Sequence, residues 1–163
     1  MTPELFRELV GAACLSPNVH NIQPTRWRLV DNATIALIAA PDRHLAVGDP
    51  TGRDAAASHG AAFEGMRTAA SAHGIKLVPA PATSGEVARL VTDGSCAPDP
   101  LAPYLTTRRT YRGPFDIRQK EAARSAAMRL SQRTDVRLIA DDAAIKDIAR
   151  LTDQATMRFF RNR

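Results

Sequence analysis

A chain of 163 residues, 44% hydrophobic and 24% charged, fits one ordinary globular domain, which at that size buries roughly 70% of its unfolded surface. Its formal net charge of +5 is densest at Arg108, Arg109 and Arg112 and at Arg158, Arg161 and Arg163, a balance that favours a phosphate-bearing ligand. Nucleic acid is not expected, because there is no nucleic-acid fold signature and only 5% of the residues are aromatic, too few for a stacking surface. In chain order, Thr2 is a candidate N-cap with Pro3 at the first helical position, and Leu5, Phe6, Leu9, Val10 and Ala13 recur at helical spacing. That predicts a helix over 3–14, with Cys14 as a small buried hydrophobe on its apolar face. Strands follow at 27–31 and 34–39, joined around Asp31-Asn32 as a hairpin. Residues 41–52 form a loop rich in turn formers. An Ala-rich helix is predicted over 53–73, with Asp49 capping its start and Gly74 its end.

Further strands are predicted at 75–78 and 87–92, then a loop at 94–103. Beyond the arginine cluster come a helix over 119–131, a strand over 136–140 and a helix over 143–163. This alternation argues for an α+β domain with helices packed on a mixed or mostly antiparallel sheet. No apolar run approaches the ~20 residues of a membrane span, and no basic stretch followed by an apolar core marks a signal peptide. Cys14 and Cys96 lack CxxC or metal-ligand spacing. The expectation is a cytoplasmic protein with no metal site, no membrane partner and no nucleic-acid partner.

The chemistry of the chain is concentrated between its first helix and first strand, in Ser16-Pro17-Asn18-Val19-His20-Asn21-Ile22-Gln23-Pro24. Two prolines stiffen this stretch and remove two backbone donors. Asn18, Asn21 and Gln23 each carry a donor and an acceptor, the equipment to read the edge of a planar heterocycle or to satisfy the loop's own backbone. Arg108 and Arg112, four apart with Thr110 between them, could grip a phosphate through guanidinium forks and a hydroxyl, or could equally be a solvated surface run. His20 reads as a residue that orients the loop and His59 as a packing residue on a helix face. GxSxG, HExxH, P-loop and GxGxxG motifs are all absent from the sequence.

The loop resembles the A-P-S-x-x-N-x-Q-P-W segment of the nitroreductase family of flavoproteins, and its His-Asn-x-Gln-Pro wording is most similar to the Acg-type, twin-domain branch. Asp49-Pro50-Thr51-Gly52-Arg53, the Ser58-His59-Gly60-Ala61-Ala62 run, and Arg108-Arg109-Thr110-Tyr111-Arg112 with Phe115 resemble further segments of that family, in family order. Asn18 stands where a serine is usual, Thr25 where the tryptophan is usual, and Trp27 comes two residues late. The loop-before-arginines order is similar to the first half of an Acg-type protein. The resemblance therefore implies a nitroreductase-like fold, with a first domain over 1–105 and the start of a second over 106–163.

It further implies FMN as cofactor and NAD(P)H as electron donor. Ser16, Pro17, Asn18, Asn21, Gln23, Arg108, Thr110 and Arg112 would bind the cofactor. No catalytic side chain is expected, because the flavin carries the electrons. The implied partners are a small-molecule acceptor such as a nitroaromatic or quinone, and a homodimer mate or second nitroreductase-like half. The small residues of the 53–73 helix are the expected place for that contact. A catalytically degenerate FMN-sequestering protein and a truncated remnant share the same sequence features.

Overall fold

A computed structural model describes residues 1–114 and 120–161. The chain divides into two compact units, Met1–Thr110 and Tyr111–Arg163, the division falling after Thr110 where the sequence reading places one at 105/106. The first unit opens with α1 (Pro3–Ala13), where the Thr2 hydroxyl accepts the Leu5 N–H at 3.3 Å and Pro3 occupies the first turn. Strands β1 (Thr25–Leu29) and β2 (Thr34–Ala39) form the expected hairpin. Its turn is closed by Asp31, whose carboxylate accepts the Ala33 N–H at 2.8 Å; that bond holds the Asp31 carboxyl below its usual pKa.

The long helix α2 (Arg53–Ala72) starts after Gly52, which takes φ 70°, and ends before Gly74, at φ 72°. Asp49 does cap it: its buried carboxylate accepts the Ala55 N–H at 2.9 Å, and this bond lowers the carboxyl pKa. β3 (Ile75–Ala80) and β4 (Ala88–Ser95) complete a sheet of order β1-β2-β4-β3. Each of its pairings is antiparallel, so the open choice between mixed and antiparallel resolves to antiparallel. β4 runs three residues past its predicted end at Thr92, with Gly94 at φ 78° accommodated inside it.

One face of the sheet carries the core. Leu9 and Ala13 of α1, Met66 and Ala70 of α2, and Ile35, Leu77 and Leu90 of the strands are all almost wholly buried and form one cluster. The two helices meet closely at Gly65, where an added Cβ would collide with Ser16 Oγ and sit 3.6 Å from the Ala13 Cα. On the opposite face Arg28, Ala36 and Arg89 stand in register across β1, β2 and β4. The Glu86 carboxylate bridges the two guanidiniums, at 3.1 Å from Arg28 Nη2 and 2.7 Å from Arg89 Nη2. It also accepts the Thr83 N–H at 3.0 Å, and Arg89 first, then Thr83, pull its pKa down to about 2.

The second unit holds α3 (Lys120–Leu130) and α4 (Asp142–Arg161). The strand predicted over 136–140 does not form. Its apolar alternation has no partner strand among the described residues of this unit, and a lone strand cannot satisfy its backbone. Arg124 instead ties that segment down, donating to the Ala140 carbonyl at 2.7 Å and to Asp142 at 3.1 Å. Phe115 and Gln119 lie outside the described residues, as does Arg163 at the predicted end of the last helix. A second expectation also fails: Cys14 is exposed. Leu9 and Ala13 take the core-facing positions, and α1 stops at Ala13, leaving the next residue off the apolar face.

Candidate functional site

The loop between α1 and β1 is built around Asn18. Its side-chain oxygen accepts the Gln23 N–H at 2.9 Å, and its amide nitrogen donates to the Ser16 carbonyl at 3.3 Å. One amide thus ties the two ends of a short turn, Val19–Asn21, in which His20 and Asn21 adopt φ 47° and 56°. Gln23 is also left-handed, at φ 53°. Three non-glycine residues in this conformation cost on the order of 1–2 kcal/mol each, strain that persists only where the surroundings hold it. Those surroundings include Ser58 of α2, whose hydroxyl accepts the Val19 N–H at 3.0 Å while donating to the Asp54 carbonyl at 2.7 Å.

The same network aims the other two amides. Gln23 Nε2 donates to the Cys14 carbonyl at 3.3 Å and to Asn21 Oδ1 at 3.0 Å. That leaves Asn21 Nδ2 and Gln23 Oε1 without a partner among the described residues, one donor beside one acceptor on amides already fixed in place. Self-satisfaction of the loop and an outward-facing hydrogen-bonding edge therefore coexist. Ser16 is half-buried against Gly65, and Pro17 is exposed.

The arginine segment reaches this loop through one residue. Arg108, distant in sequence, donates from Nη2 to the Leu15 carbonyl at 3.0 Å and from Nη1 to Thr110 Oγ1 at 3.4 Å. Arg108 and Thr110 are both exposed, and Arg108 keeps further guanidinium donors free for an anion. Arg109 is turned back on its own backbone, donating to the Thr106 and Arg108 carbonyls. Arg112 belongs to the other unit and is exposed.

Behind the loop, His59 is buried, as expected of a packing residue, and its Nδ1 lies 2.9 Å from the Thr25 hydroxyl. Burial lowers its pKa, which favours the neutral imidazole. It forms part of the wall of a cleft of about 240 Å³ bounded by Ile22, Pro24, Leu45 and Asp49. Four participants were not singled out from the sequence as site residues: Ser58, Thr25 and the carbonyls of Cys14 and Leu15. Ser58 and Thr25 are ordinary polar residues within regular elements, and backbone carbonyls leave no mark in a sequence at all.

The chain is similar to nitroreductase-like proteins. Over 74 residues it is 36% identical to the "Putative NAD(P)H nitroreductase acg" of Mycobacterium tuberculosis strains CDC 1551 and H37Rv, covering 45% of this chain and 22% of the relative. Over 60 residues it is 37% identical to the "Putative NAD(P)H nitroreductase Rv3131" of strain H37Rv, covering 37% of this chain and 17% of the relative. The matched stretches thus span about a fifth of the length of these curated relatives. No protein-family model matches the chain. Among the described residues, no helix is long and apolar enough to cross a membrane.

Proposed function

We propose that the chain is an FMN-binding part of a cytoplasmic NAD(P)H oxidoreductase of nitroreductase type, acting on nitroaromatics, quinones or similar small acceptors. In this reading the first unit is a nitroreductase-like domain and the second the start of another. The observation that carries the reading is the fixed pair of free amide groups, Asn21 Nδ2 and Gln23 Oε1, on a loop to which Arg108 is hooked through the Leu15 carbonyl. A donor beside an acceptor complements the imide-like edge of an isoalloxazine ring, and a guanidinium with spare donors suits a phosphate.

The residues present fit the cofactor. Asn21 and Gln23 would hold the ring edge, with Asn18 fixing their backbone and Ser16 and Pro17 shaping the approach. Arg108 and Thr110 would hold the phosphate. When bound, FMN supplies the exchange of electrons with nicotinamide and acceptor; this chain's work is to bind and orient it. A homodimer mate or a second nitroreductase-like half completes the site. The free side of α2, which includes Ala57 and Gly60, offers the close approach such a contact needs: Ser58, His59 and Ala62 are already covered within the chain, and a Cβ at Gly60 would meet nothing.

The test is FMN and riboflavin titration of the parent and of Arg108→Ala, followed by absorbance and flavin fluorescence. Loss of charge-assisted bonds worth about 1.5–3 kcal/mol corresponds to roughly ten- to a hundredfold in FMN affinity. Riboflavin, lacking the phosphate, should bind both proteins equally, and salt should weaken FMN alone. An equal loss for both ligands would show that Arg108 only anchors the loop. FMN binding without acceptor-stimulated NAD(P)H oxidation would instead favour a sequestering role.

A further inference from the structure

Trp27 is the chain's one tryptophan, and its indole Nε1–H is buried without an acceptor among the described residues. Buried donors are almost always paired, with protein or with an internal water. Trp27 forms part of the wall of a small pocket under the loop, bounded also by Ala13, Ser16, Asn18, Gln23 and Ser58. The space open to a water molecule's centre there is about 10 Å³, close to the minimum for a single water and far below what a cofactor ring needs.

Two further groups of the pocket suit the same occupant. Ser16 Oγ has no hydrogen-bond partner among the described residues. Ser58 Oγ gives its proton to Asp54 and accepts from Val19, which leaves one lone pair. A donor, a free hydroxyl and a spare acceptor around a single-water space match the two to four bonds an internal water makes.

We infer that one water molecule resides in this pocket, accepting the Trp27 Nε1–H and donating to Ser16 Oγ and Ser58 Oγ. It joins the end of α1, the first strand, α2 and the base of the strained loop. It gives Trp27 a polar role two residues beyond the usual place of the family's loop tryptophan.

The lone indole makes the test clean, since the nitrogen-15 spectrum of the full chain contains one indole signal. A cross-peak from this proton to water, with the sign of a long-lived complex, is expected. Water oxygen-17 relaxation dispersion should then lose the amplitude of one long-lived water in Trp27→Phe, which keeps the ring's bulk and deletes the donor. A missing cross-peak, or one with the sign of freely exchanging surface water, overturns the inference. So does a cross-peak with unchanged oxygen-17 amplitude in Trp27→Phe, because the indole would then be reporting a serine hydroxyl bonded to it directly. Should Trp27→Phe not fold, the cross-peak is measured in Ser16→Ala: persistence supports the water, and disappearance assigns the signal to the Ser16 hydroxyl.

Discussion

The two units of this chain solve the problem of apolar surface differently. The first buries Leu9, Ile35, Met66, Leu77 and Leu90 between two helices and one face of an antiparallel sheet. The described residues of the second form two helices and an irregular connection, and leave Ile145, Ile148, Leu151, Met128 and Leu130 each 45% exposed or more. Hydrophobic stabilisation follows area removed from water, so the first unit contains the source of its own stability, while these side chains of the second contribute little. Where helical periodicity met a sheet, it marked a core. In the second unit the same periodicity marked helices whose apolar stripes stay in contact with solvent.

The sharpest way to break that comparison is to cut into the first core. Leu90 is fully buried on β4 against Ile35 and Met66 of the same cluster. Leu90→Ala should therefore cost about 2–5 kcal/mol, lost transfer energy plus the cavity left behind. Urea unfolding followed by Trp27 fluorescence reports this directly, since Trp27 packs against the same cluster. A cost below about 1 kcal/mol would mean that the first unit is not the stable part of the chain.

The next effect belongs to the loop. Asn18→Ala removes the acceptor of the Gln23 N–H and the donor to the Ser16 carbonyl. An unpaired, partly buried backbone donor costs about 1–3 kcal/mol, and release of the left-handed residues returns part of it. Asn18→Asp keeps the acceptor but sets a second acceptor against the Ser16 carbonyl, so it should recover only part of the loss. If Asn18→Ala leaves urea stability unchanged, the hub role assigned to this side chain is wrong.

Much of this architecture was legible in the residues, and the exceptions have physical reasons. The N-cap at Thr2, the Asp31 turn, the Asp49 cap and Gly74 all act through nearest neighbours along the chain, so their chemistry is written locally. The division of labour inside the loop was visible only as two alternatives, because amide side chains serve backbone and ligand with the same atoms. The fold commits Asn18 to the loop while Asn21 and Gln23 each keep one group free. The failed strand at 136–140 and the exposed Cys14 share a cause. Both followed from local apolar pattern, and pairing and burial depend on what lies opposite, which no local pattern states. The hook from Arg108 to Leu15 was illegible for the same reason, since its acceptor is a backbone carbonyl.

A smaller effect separates the two sheet faces by pH. Arg89, with the Thr83 N–H, holds the Glu86 carboxyl at about 2, against an ordinary value of 4.5. The unfolded chain therefore takes up this proton first as acid is added. The stabilisation is complete above about pH 4.5 and is lost as the pH falls toward 2. Glu86→Gln should flatten that part of the acid limb in urea midpoints measured as a function of pH, with Leu90→Ala keeping the parent's slope. Parallel curves for parent and Glu86→Gln would remove the carboxylate from the account of stability.

The smallest expected effect tests the other side of the comparison. Ile148 lies on α4, 45% exposed, and replacing an exposed residue away from caps and ion pairs usually changes stability by no more than about 0.5 kcal/mol. Ile148→Ser should therefore leave the Trp27-monitored unfolding midpoint where it was, at low and high protein concentration alike. The concentration series gives the small number its force. If a second copy covered this stripe, folding would be linked to association, the parent's midpoint would rise with concentration, and the variant would lose that dependence. Equal midpoints for parent and variant at every concentration leave this stripe uncovered, whatever association α2 supports.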